Sequence, residues 1–293
     1  MAEAALPESA RAFYKMSGSG NDFVFFRSDD VERDPLAASA IVRALCIRET
    51  GIGADGVVLL GAHGDNAIRI RYFNSDGSLG ELCGNATLCA TRLGPELGLV
   101  RVREFEIHTD SGIVAARMRD GLPEIDLAPV TEISDNAAGI TRLPRESCLG
   151  FARAGVPHIV IVDAELETAD VVGRGSRLRH DPSLRDGANV NFVAPVKDGE
   201  WAMRTFERGV EGETLACGTG AVASAVLLSR WGRAEGPVRL RTRSGRTLEV
   251  RLKRQGDAWY PSLRGGAEII FTGQLRDFRA VGGHDEAPVG SAN

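Results

Sequence analysis

The sequence predicts an α+β fold made of two homologous halves. Candidate strands and helices alternate along the chain, as in domains where helices cover a sheet. Two motifs recur at nearly the same spacing, because Cys83 and Cys217 lie 134 residues apart and Gly20 and Gly155 lie 135 apart. Each of the two cysteines is followed by a glycine and then by an alanine-rich stretch. A shared spacing of nearly half the chain indicates an internal duplication.

Length and composition fit a folded protein with two domains. The chain has 293 residues, of which 43% are hydrophobic and 26% charged, and this length suits two domains of about 140 residues each. The net charge of -5, with both signs mixed along the chain, argues against a nucleic-acid partner. No run approaches the roughly 20 apolar residues of a membrane span. The first eleven residues lack the apolar core of a secretory signal, so we expect a cytoplasmic protein with five reduced thiols.

Short runs rich in Val, Ile and Phe predict the strands of the first half. These runs are 13–16, 22–27, 56–60, 67–73, 103–108, 113–117 and 124–127. Between the second and third, apolar residues at helical spacing predict a helix over 35–48, with Pro35 in its first turn. The segment 85–92, which follows Cys83, also has helix-forming composition.

The second half repeats this organisation. Its predicted strands are 146–152, 158–162, 188–195, 200–206, 238–241, 247–252, 258–263 and 267–272. The segment 219–231, after Cys217, is apolar on nearly every helical face, which predicts a buried central helix. We expect one domain over 11–130 and another over 131–273, with 274–281 as a candidate return to the first. The Gly-, Pro- and Ser-rich segment 282–293 is expected to be a disordered tail.

The two repeated cysteines carry the strongest chemical signal. Most cysteines only pack in a core, and we interpret Cys46, Cys89 and Cys148 in that way. The glycine after Cys83 and after Cys217 allows a tight turn into a helix, so each thiol is expected at a helix N-terminus. There the helix dipole and free N–H groups favour a carboxylate and lower a thiol pKa from about 8.5 to roughly 3.5–7.5. Two such thiols facing one carbon could remove a proton from one side and deliver one to the other.

No other motif in the chain predicts a nucleotide site, a metal site or a serine hydrolase. The segment 51–56 matches the G-x-G-x-x-G pattern of dinucleotide sites, but its strand follows the glycines instead of preceding them. The glycines around Ser19 lack the lysine of a phosphate loop. We find neither C-x-x-C nor H-E-x-x-H, and the five histidines are scattered, so we expect no metal site. The G-x-S-x-G elbow of serine hydrolases is also missing from the sequence.

Eight motifs, in order between about residues 13 and 273, resemble the diaminopimelate epimerase family. They are Gly18-Ser-Gly-Asn-Asp-Phe23, Gly51-Ile-Gly-Ala-Asp-Gly56, Phe73-Asn-Ser-Asp-Gly77, Glu81-Leu-Cys-Gly-Asn85, Pro157-His158, Asn189-Val190, Glu207-Arg208-Gly209 and Ala216-Cys-Gly-Thr-Gly220. The resemblance implies two homologous domains, each a mixed, mostly antiparallel sheet wrapped around a central helix. It places the active site in the cleft between the domains.

The resemblance also implies an activity: interconversion of LL- and meso-2,6-diaminopimelate without pyridoxal phosphate or another cofactor, in the synthesis of lysine and peptidoglycan precursors. Cys83 and Cys217 would transfer the protons, and His158 and Glu207 would help to set their protonation. The implied substrate-binding residues are Asn21, Asn74, Gly84, Asn85, Asn189, Glu207, Arg208, Gly218 and Thr219. The expected partner is a small amino acid, and a homodimer is possible.

The sequence departs from the family pattern at four places, and these leave the identity of the substrate undecided. Val156 stands where an asparagine usually precedes Pro157-His158, and Ala86 and Leu88 replace a usual glycine and arginine. One extra residue follows the Glu207-Arg208-Gly209 motif, near Glu211. None of these positions is a thiol. A racemase of the same fold acting on another amino acid, such as histidine, therefore stays an alternative, as does a non-catalytic amino acid binding protein.

Overall fold

The chain folds as two halves with the same order of elements, and the computed structural model describes residues 10–80, 82–137 and 139–277. The first half comprises β1 (Arg11–Gly18), β2 (Asn21–Arg27), α1 (Ser39–Cys46), β3 (Gly56–Ala62), β4 (Ala67–Asn74), α2 (Gly84–Glu96), β5 (Glu104–Thr109), β6 (Gly112–Arg119) and β7 (Leu122–Asp126). The second comprises β8 (Ile133–Ser134), β9 (Glu146–Ala154), β10 (Val156–Asp163), α3 (Val171–Arg179), β11 (Asn189–Pro195), β12 (Trp201–Glu207), β13 (Gly212–Thr214), α4 (Gly218–Arg230), β14 (Val238–Arg241), β15 (Thr247–Gln255), β16 (Ala258–Gly265) and β17 (Ala267–Leu275).

Strand pairing repeats between the halves. In the first half, β1 and β2 are antiparallel, β2 and β3 are parallel across α1, β3 and β4 are antiparallel, and β4 and β5 are parallel across α2. Antiparallel β5, β6 and β7 complete it. The second half has the same series from β9 to β16, with α3 and α4 as the crossover helices. The predicted α+β fold with an internal duplication is therefore confirmed.

Two strand pairings join the halves into one continuous sheet. Strand β7 of the first half pairs antiparallel with β16 of the second. After the second half, β17 pairs antiparallel with β1. At the β7–β16 junction the Ser262 hydroxyl of β16 donates to Asp126 Oδ1 of β7 at 2.6 Å, and the Arg117 guanidinium binds the same carboxylate. These contacts fix the halves against each other and so fix the cleft between them.

The two crossover helices α2 and α4 form the centre of the largest hydrophobic core. In α4 every residue from Ala221 to Leu228 is buried, and all of them except Ser224 are apolar. This confirms the buried helix expected after Cys217. Cys89, on α2, is fully buried in the same core, as its structural interpretation predicted. Smaller apolar clusters lie under α1 and α3.

Several predicted boundaries were wrong. The helix expected over 35–48 is a short 3-10 turn at Pro35–Ala37 followed by α1, because Asp34 caps the turn through the Leu36 N–H and the chain is extended at Ala38. The helix after Cys83 continues to Glu96, past the predicted 92. Helix α3 and strands β8 and β13 were not predicted, since α3 is rich in Arg and Gly and has few apolar positions.

Two further expectations concern the ends of the chain and membranes. The tail predicted over 282–293 lies outside the described residues, as does the second half, 278–281, of the segment 274–281. Within the described ranges, none of the helices has the length and apolarity needed to cross a membrane.

Candidate active site

Each repeated cysteine occupies the N-cap of a central helix. Cys83 precedes α2 and Cys217 precedes α4, and both have extended backbone dihedrals, as N-cap residues do. The two helix N-termini meet, because a Cβ built on Gly218 would lie 3.8 Å from the Gly84 Cα. A Cβ on either glycine would come within 3.1 Å of the buried Leu263, so glycine permits this close approach.

Both thiols line one cavity of about 490 Å³ between the halves. A neighbouring cavity of about 660 Å³ shares Cys83, Glu207, Arg208 and three other lining residues with it, so the two spaces form one cleft. The predicted site residues that line the 490 Å³ cavity are Asn21, Asn74, Cys83, Gly84, Asn85, Asn189, Glu207, Arg208, Cys217, Gly218 and Thr219. Residues from both halves of the duplication thus converge on a single space.

The thiols differ from expectation in their pKa. Burial raises the pKa of Cys83 to about 11, although the N–H groups of Ala86 and Asn85 pull it down. Burial also raises the pKa of Cys217 to about 12, and the negative charge of Glu207 adds to the rise at both thiols. The sequence-based expectation of lowered pKa values was wrong, because the loss of hydration outweighs the helix N-terminus here. Both groups are therefore thiols at neutral pH in the free protein.

Glu207 is the last residue of β12 and Arg208 follows it, beside the start of β11. Burial raises the pKa of the Glu207 carboxyl, and the neighbouring Thr214 hydroxyl opposes that rise. The Arg208 guanidinium donates to the Asp186 carbonyl at 3.1 Å and, among the described ion pairs, has no carboxylate partner. The Arg208 backbone N–H donates to Asn189 Oδ1 at 2.7 Å, which leaves the Asn189 amide nitrogen to serve as a donor. This corner of the cleft therefore offers donors suited to a carboxylate.

His158 lies behind the cavity instead of lining it, and its side chain is fully buried. Burial, and then the charge of Arg208, lower its pKa to about 3, so the ring is neutral. Asn191 accepts from Thr205 through Oδ1 and donates to the Ile159 carbonyl through Nδ2, which lies 3.1 Å from His158 Nδ1. Since that amide nitrogen is a donor, Nδ1 is an acceptor and the proton of the ring is on Nε2.

Three residues near the site were missed by the sequence reasoning. Tyr72 lines both cavities, and its ring packs edge-on against Phe23 at 6.0 Å between centroids. Tyr72 lies two residues before Asn74 on β4 and so on the same face of that strand, a signal that the sequence did contain. Asp55 lines the larger cavity, and the sequence assigned it no role beyond its place in the motif Gly51-Ile-Gly-Ala-Asp-Gly56. Asn191 carries no motif that would have identified it.

The described residues contain no group of three or more His, Cys, Asp or Glu side chains arranged to hold a metal ion. The polar groups that converge on the cleft are instead amides, one guanidinium, carboxylates and backbone N–H groups. Such a set of donors and acceptors complements a small molecule that carries both ammonium and carboxylate groups.

Comparisons with known proteins agree with this geometry. The family model described as diaminopimelate epimerase matches residues 13–128 and 150–270. A diaminopimelate epimerase of Gemmatimonas aurantiaca is 44% identical over 274 residues, which cover 90% of this chain and 99% of that protein. A diaminopimelate epimerase of Aquifex aeolicus is 34% identical and covers 90% and 98%.

Solved structures share the fold at low sequence identity. A phenazine biosynthesis protein of the PhzF family from Bacillus anthracis has a TM-score of 0.71 at 12% identity, over 91% of this chain and 99% of that one. A probable proline racemase from Agrobacterium radiobacter has a TM-score of 0.65 at 18% identity, over 90% and 92%. These two similarities establish the fold. The family-model match and the close relatives show more, namely that the chain belongs to the diaminopimelate epimerase family.

Proposed function

We propose that this protein interconverts LL- and meso-2,6-diaminopimelate with two cysteines as the acid and base. The observation that carries the proposal is the placement of Cys83 and Cys217 at two abutting helix N-termini that open into one cavity. Membership of the family and 44% identity to a diaminopimelate epimerase support the choice of substrate. The reaction serves the synthesis of lysine and of peptidoglycan precursors.

The mechanism needs one thiolate and one thiol. The thiolate removes the proton from the substrate Cα and becomes a thiol, while the bond electrons stay on carbon. The opposite thiol then gives its proton to the other face of that carbon and becomes a thiolate. The stereocentre is inverted, and no atom is gained or lost. After the turnover the first sulfur is a thiol and the second a thiolate, which is the protonation state that the reverse reaction needs.

The raised pKa values suit this chemistry. A Cα–H beside an ammonium group is a very weak acid, so its removal needs a strongly basic thiolate, and the burial that raises both thiol pKa values also makes each thiolate more basic. One of the two thiols must lose its proton before the reaction can start. The N–H groups at the start of α2 and α4 lie where a substrate carboxylate would bind and would stabilise the charge that develops next to it. A bound substrate would displace water from the cavity and so strengthen these interactions.

The remaining groups supply recognition. The free donors of Arg208 and Asn189 are proposed to bind a carboxylate, and Glu207 is proposed to bind an ammonium group and to keep the thiol pKa values high. Thr219 lies 3.5 Å from Cys217 Sγ through its hydroxyl and would steady that thiol. His158, neutral and behind the cavity, is proposed to act through Asn191 and not by contact with the substrate.

Val156 lines the cavity where the family usually has an asparagine, and this keeps a different amino acid substrate as the second candidate. A valine offers no hydrogen bond to a second ammonium or carboxylate. A same-fold racemase of a monoamino acid such as histidine would tolerate that change. The non-catalytic binding protein is less well supported, because both thiols line the cavity.

A panel of amino acids separates these candidates. Purified protein is incubated in deuterated buffer with LL-diaminopimelate, histidine and proline, and Cα exchange and change of configuration are followed by NMR. We expect inversion of LL-diaminopimelate, and Cys83→Ala and Cys217→Ala should each abolish it in both directions. Turnover of histidine alone would select the second candidate, and turnover by either alanine variant would reject the two-thiol mechanism.

Two further features are part of the proposal. A reducing compartment such as the cytoplasm is proposed for this chain, since both cysteines must stay reduced to work. The expectation of a homodimer, and that of no nucleic-acid partner, stay predictions.

A further inference from the structure

A relay of hydrogen bonds runs from a charged cluster to the floor of the cavity. Asp55 Oδ2 accepts from Asn21 Nδ2 at 3.0 Å, and Asn21 Oδ1 accepts from Asn85 Nδ2 at 2.7 Å. Both amides line the 490 Å³ cavity, and Asn85 is only 3% exposed. The relay therefore connects a carboxylate that lines only the larger cavity to a buried amide at the start of α2, between the two thiols' helices.

The charge of Asp55 decides which way both amides point. A carboxylate only accepts hydrogen bonds, so Asn21 must present its NH₂ group to Asp55 and its oxygen to Asn85. Asn85 must in turn present its NH₂ group to that oxygen. Rotating either amide would set two oxygens or two NH₂ groups against each other, and each mismatch would cost about 1–3 kcal/mol.

Asp55 is itself held firmly in place. Its Oδ1 accepts from Arg48 at 2.8 Å, and its Oδ2 also accepts from the Asp22 backbone N–H at 3.2 Å. The same Arg48 guanidinium binds both carboxylate oxygens of Asp22, at 2.9 and 3.1 Å. Asp55 thus has the fixed position that a residue acting through others requires.

The far end of the relay is an acceptor without a partner. Asn85 Oδ1 is buried and has no hydrogen bond among the described residues. It lies at the meeting point of the two helix N-termini, 3.7 Å from where a Cβ on Gly218 would be. Backbone N–H groups at both helix starts are donors suited to a carboxylate. An acceptor beside these N–H groups suits the ammonium group, which is attached to the same substrate carbon as the carboxylate.

We infer that Asp55 is a positioning residue that orients Asn21 and Asn85 so that Asn85 Oδ1 accepts a hydrogen bond from the α-ammonium group of the substrate. The inference rests on the proposed function and deepens it, because it identifies the side chain that binds the ammonium group on the reacting carbon. The arrangement selects a zwitterionic α-amino acid over an acid that lacks the amino group.

The test is a double-mutant cycle on Asp55→Asn and Asn85→Ala, with Asp22→Asn as the matched control. Asn85→Ala keeps the backbone N–H but removes the acceptor. A lost hydrogen bond to a charged group should raise KM about tenfold or more. Asp55→Asn keeps an oxygen for Arg48 but can turn an NH₂ group towards Asn21, reversing both amides, so we expect a similar rise in KM. Asp22→Asn removes a charge from the same cluster without touching either amide, and its KM should stay within twofold of wild type.

Because Asp55 acts through Asn85, adding Asp55→Asn to Asn85→Ala should change KM by no more than twofold further. Additive effects of the two variants would overturn the relay, as would equal KM changes in Asp55→Asn and Asp22→Asn. Thermal unfolding of every variant is measured alongside. If Asp55→Asn is much less stable than Asp22→Asn, Asn21→Ala takes its place in the cycle, since it breaks the same relay one step nearer the cavity.

Failure of the relay can be told from failure of the proposed function. The proposed function fails if wild-type protein inverts no diaminopimelate. The relay is judged only by KM ratios between variants of an active protein. If another amino acid proves to be the substrate, the same cycle is run with it, because the α-ammonium group is common to all of them.

Discussion

Replacing Gly220 by alanine is expected to damage the core behind Cys217. Gly220 is in the first turn of α4, and its N–H donates to Cys217 Sγ at 3.3 Å. A Cβ at this position would overlap Asn191 Oδ1 and lie 3.2 Å from the Cys217 sulfur. Asn191 is fully buried, so its side chain has no free space into which it could move without losing its partners.

The cost follows from what Asn191 holds. Its amide joins Thr205 at 3.0 Å, the Ile159 carbonyl at 3.1 Å and the His158 ring at 3.1 Å. Buried polar groups left unsatisfied cost about 1–3 kcal/mol each, and alanine regains roughly 1 kcal/mol over glycine inside a helix. With two of the three hydrogen bonds lost, we expect the free energy of unfolding to fall by about 3 kcal/mol. At about 2–4 °C per kcal/mol, the Tm should drop by roughly 6–12 °C.

Urea denaturation and thermal unfolding measure this loss, with Gly94→Ala as the control. Gly94 lies in α2 directly before Pro95, and beyond its chain neighbours the nearest atom to an added Cβ is the end of the Ile68 side chain, at 3.2 Å, which takes part in no hydrogen bond. We expect Gly94→Ala to change stability by less than about 1 kcal/mol, since the gain in helix propensity offsets the contact. Equal stability of the two variants would refute the role given to the Asn191 hydrogen bonds.

Two further predictions concern the thiols. Burial raises the folded-state pKa of Cys83 to about 11 and that of Cys217 to about 12, so iodoacetamide at pH 8 should modify both more slowly than a free thiol of pKa about 8.5. The modification rates, measured by peptide mass spectrometry, should rise as the pH approaches 11. Modification at pH 8 near the rate of a free thiol would contradict the raised pKa values. Glu207→Gln removes a negative charge that raises both thiol pKa values, so it should speed modification of the cysteines at pH 8 severalfold. The surface variant Glu268→Gln should leave the rates unchanged. Unchanged rates in Glu207→Gln would show that burial alone raises the thiol pKa values.

Much of the fold was open to prediction because the duplication left two copies of one pattern. The shared spacing of Cys83 and Cys217 located both central helices, and the apolar composition of α4 gave its burial. Helix α3 could not be predicted, since its short Arg- and Gly-rich sequence has few apolar positions and the helix is stabilised by packing against the strands β11 and β12 that follow it. The start of α1 was misplaced because Asp34 caps a separate turn first.

The site was predictable as a set of residues but not as an electrostatic environment. The motif residues around both cysteines do line one cavity. Whether a thiol pKa rises or falls depends on how much water the fold removes, and that is a property of packing across both halves. The relay from Asp55 to Asn85 was equally hidden, because three segments far apart in sequence supply its members.

The most direct test of the two-thiol mechanism follows the isotope at Cα early in the reaction. LL-diaminopimelate is converted in deuterated water, and recovered substrate and meso product are analysed by mass spectrometry at less than about a tenth of full conversion. A thiol carries a single proton, so the first sulfur can return only the proton it has taken, and the opposite sulfur delivers deuterium from solvent. We therefore predict deuterium in the meso product and almost none in recovered LL substrate, whereas equal early labelling of both would contradict the placement of two separate thiols on opposite faces of one carbon.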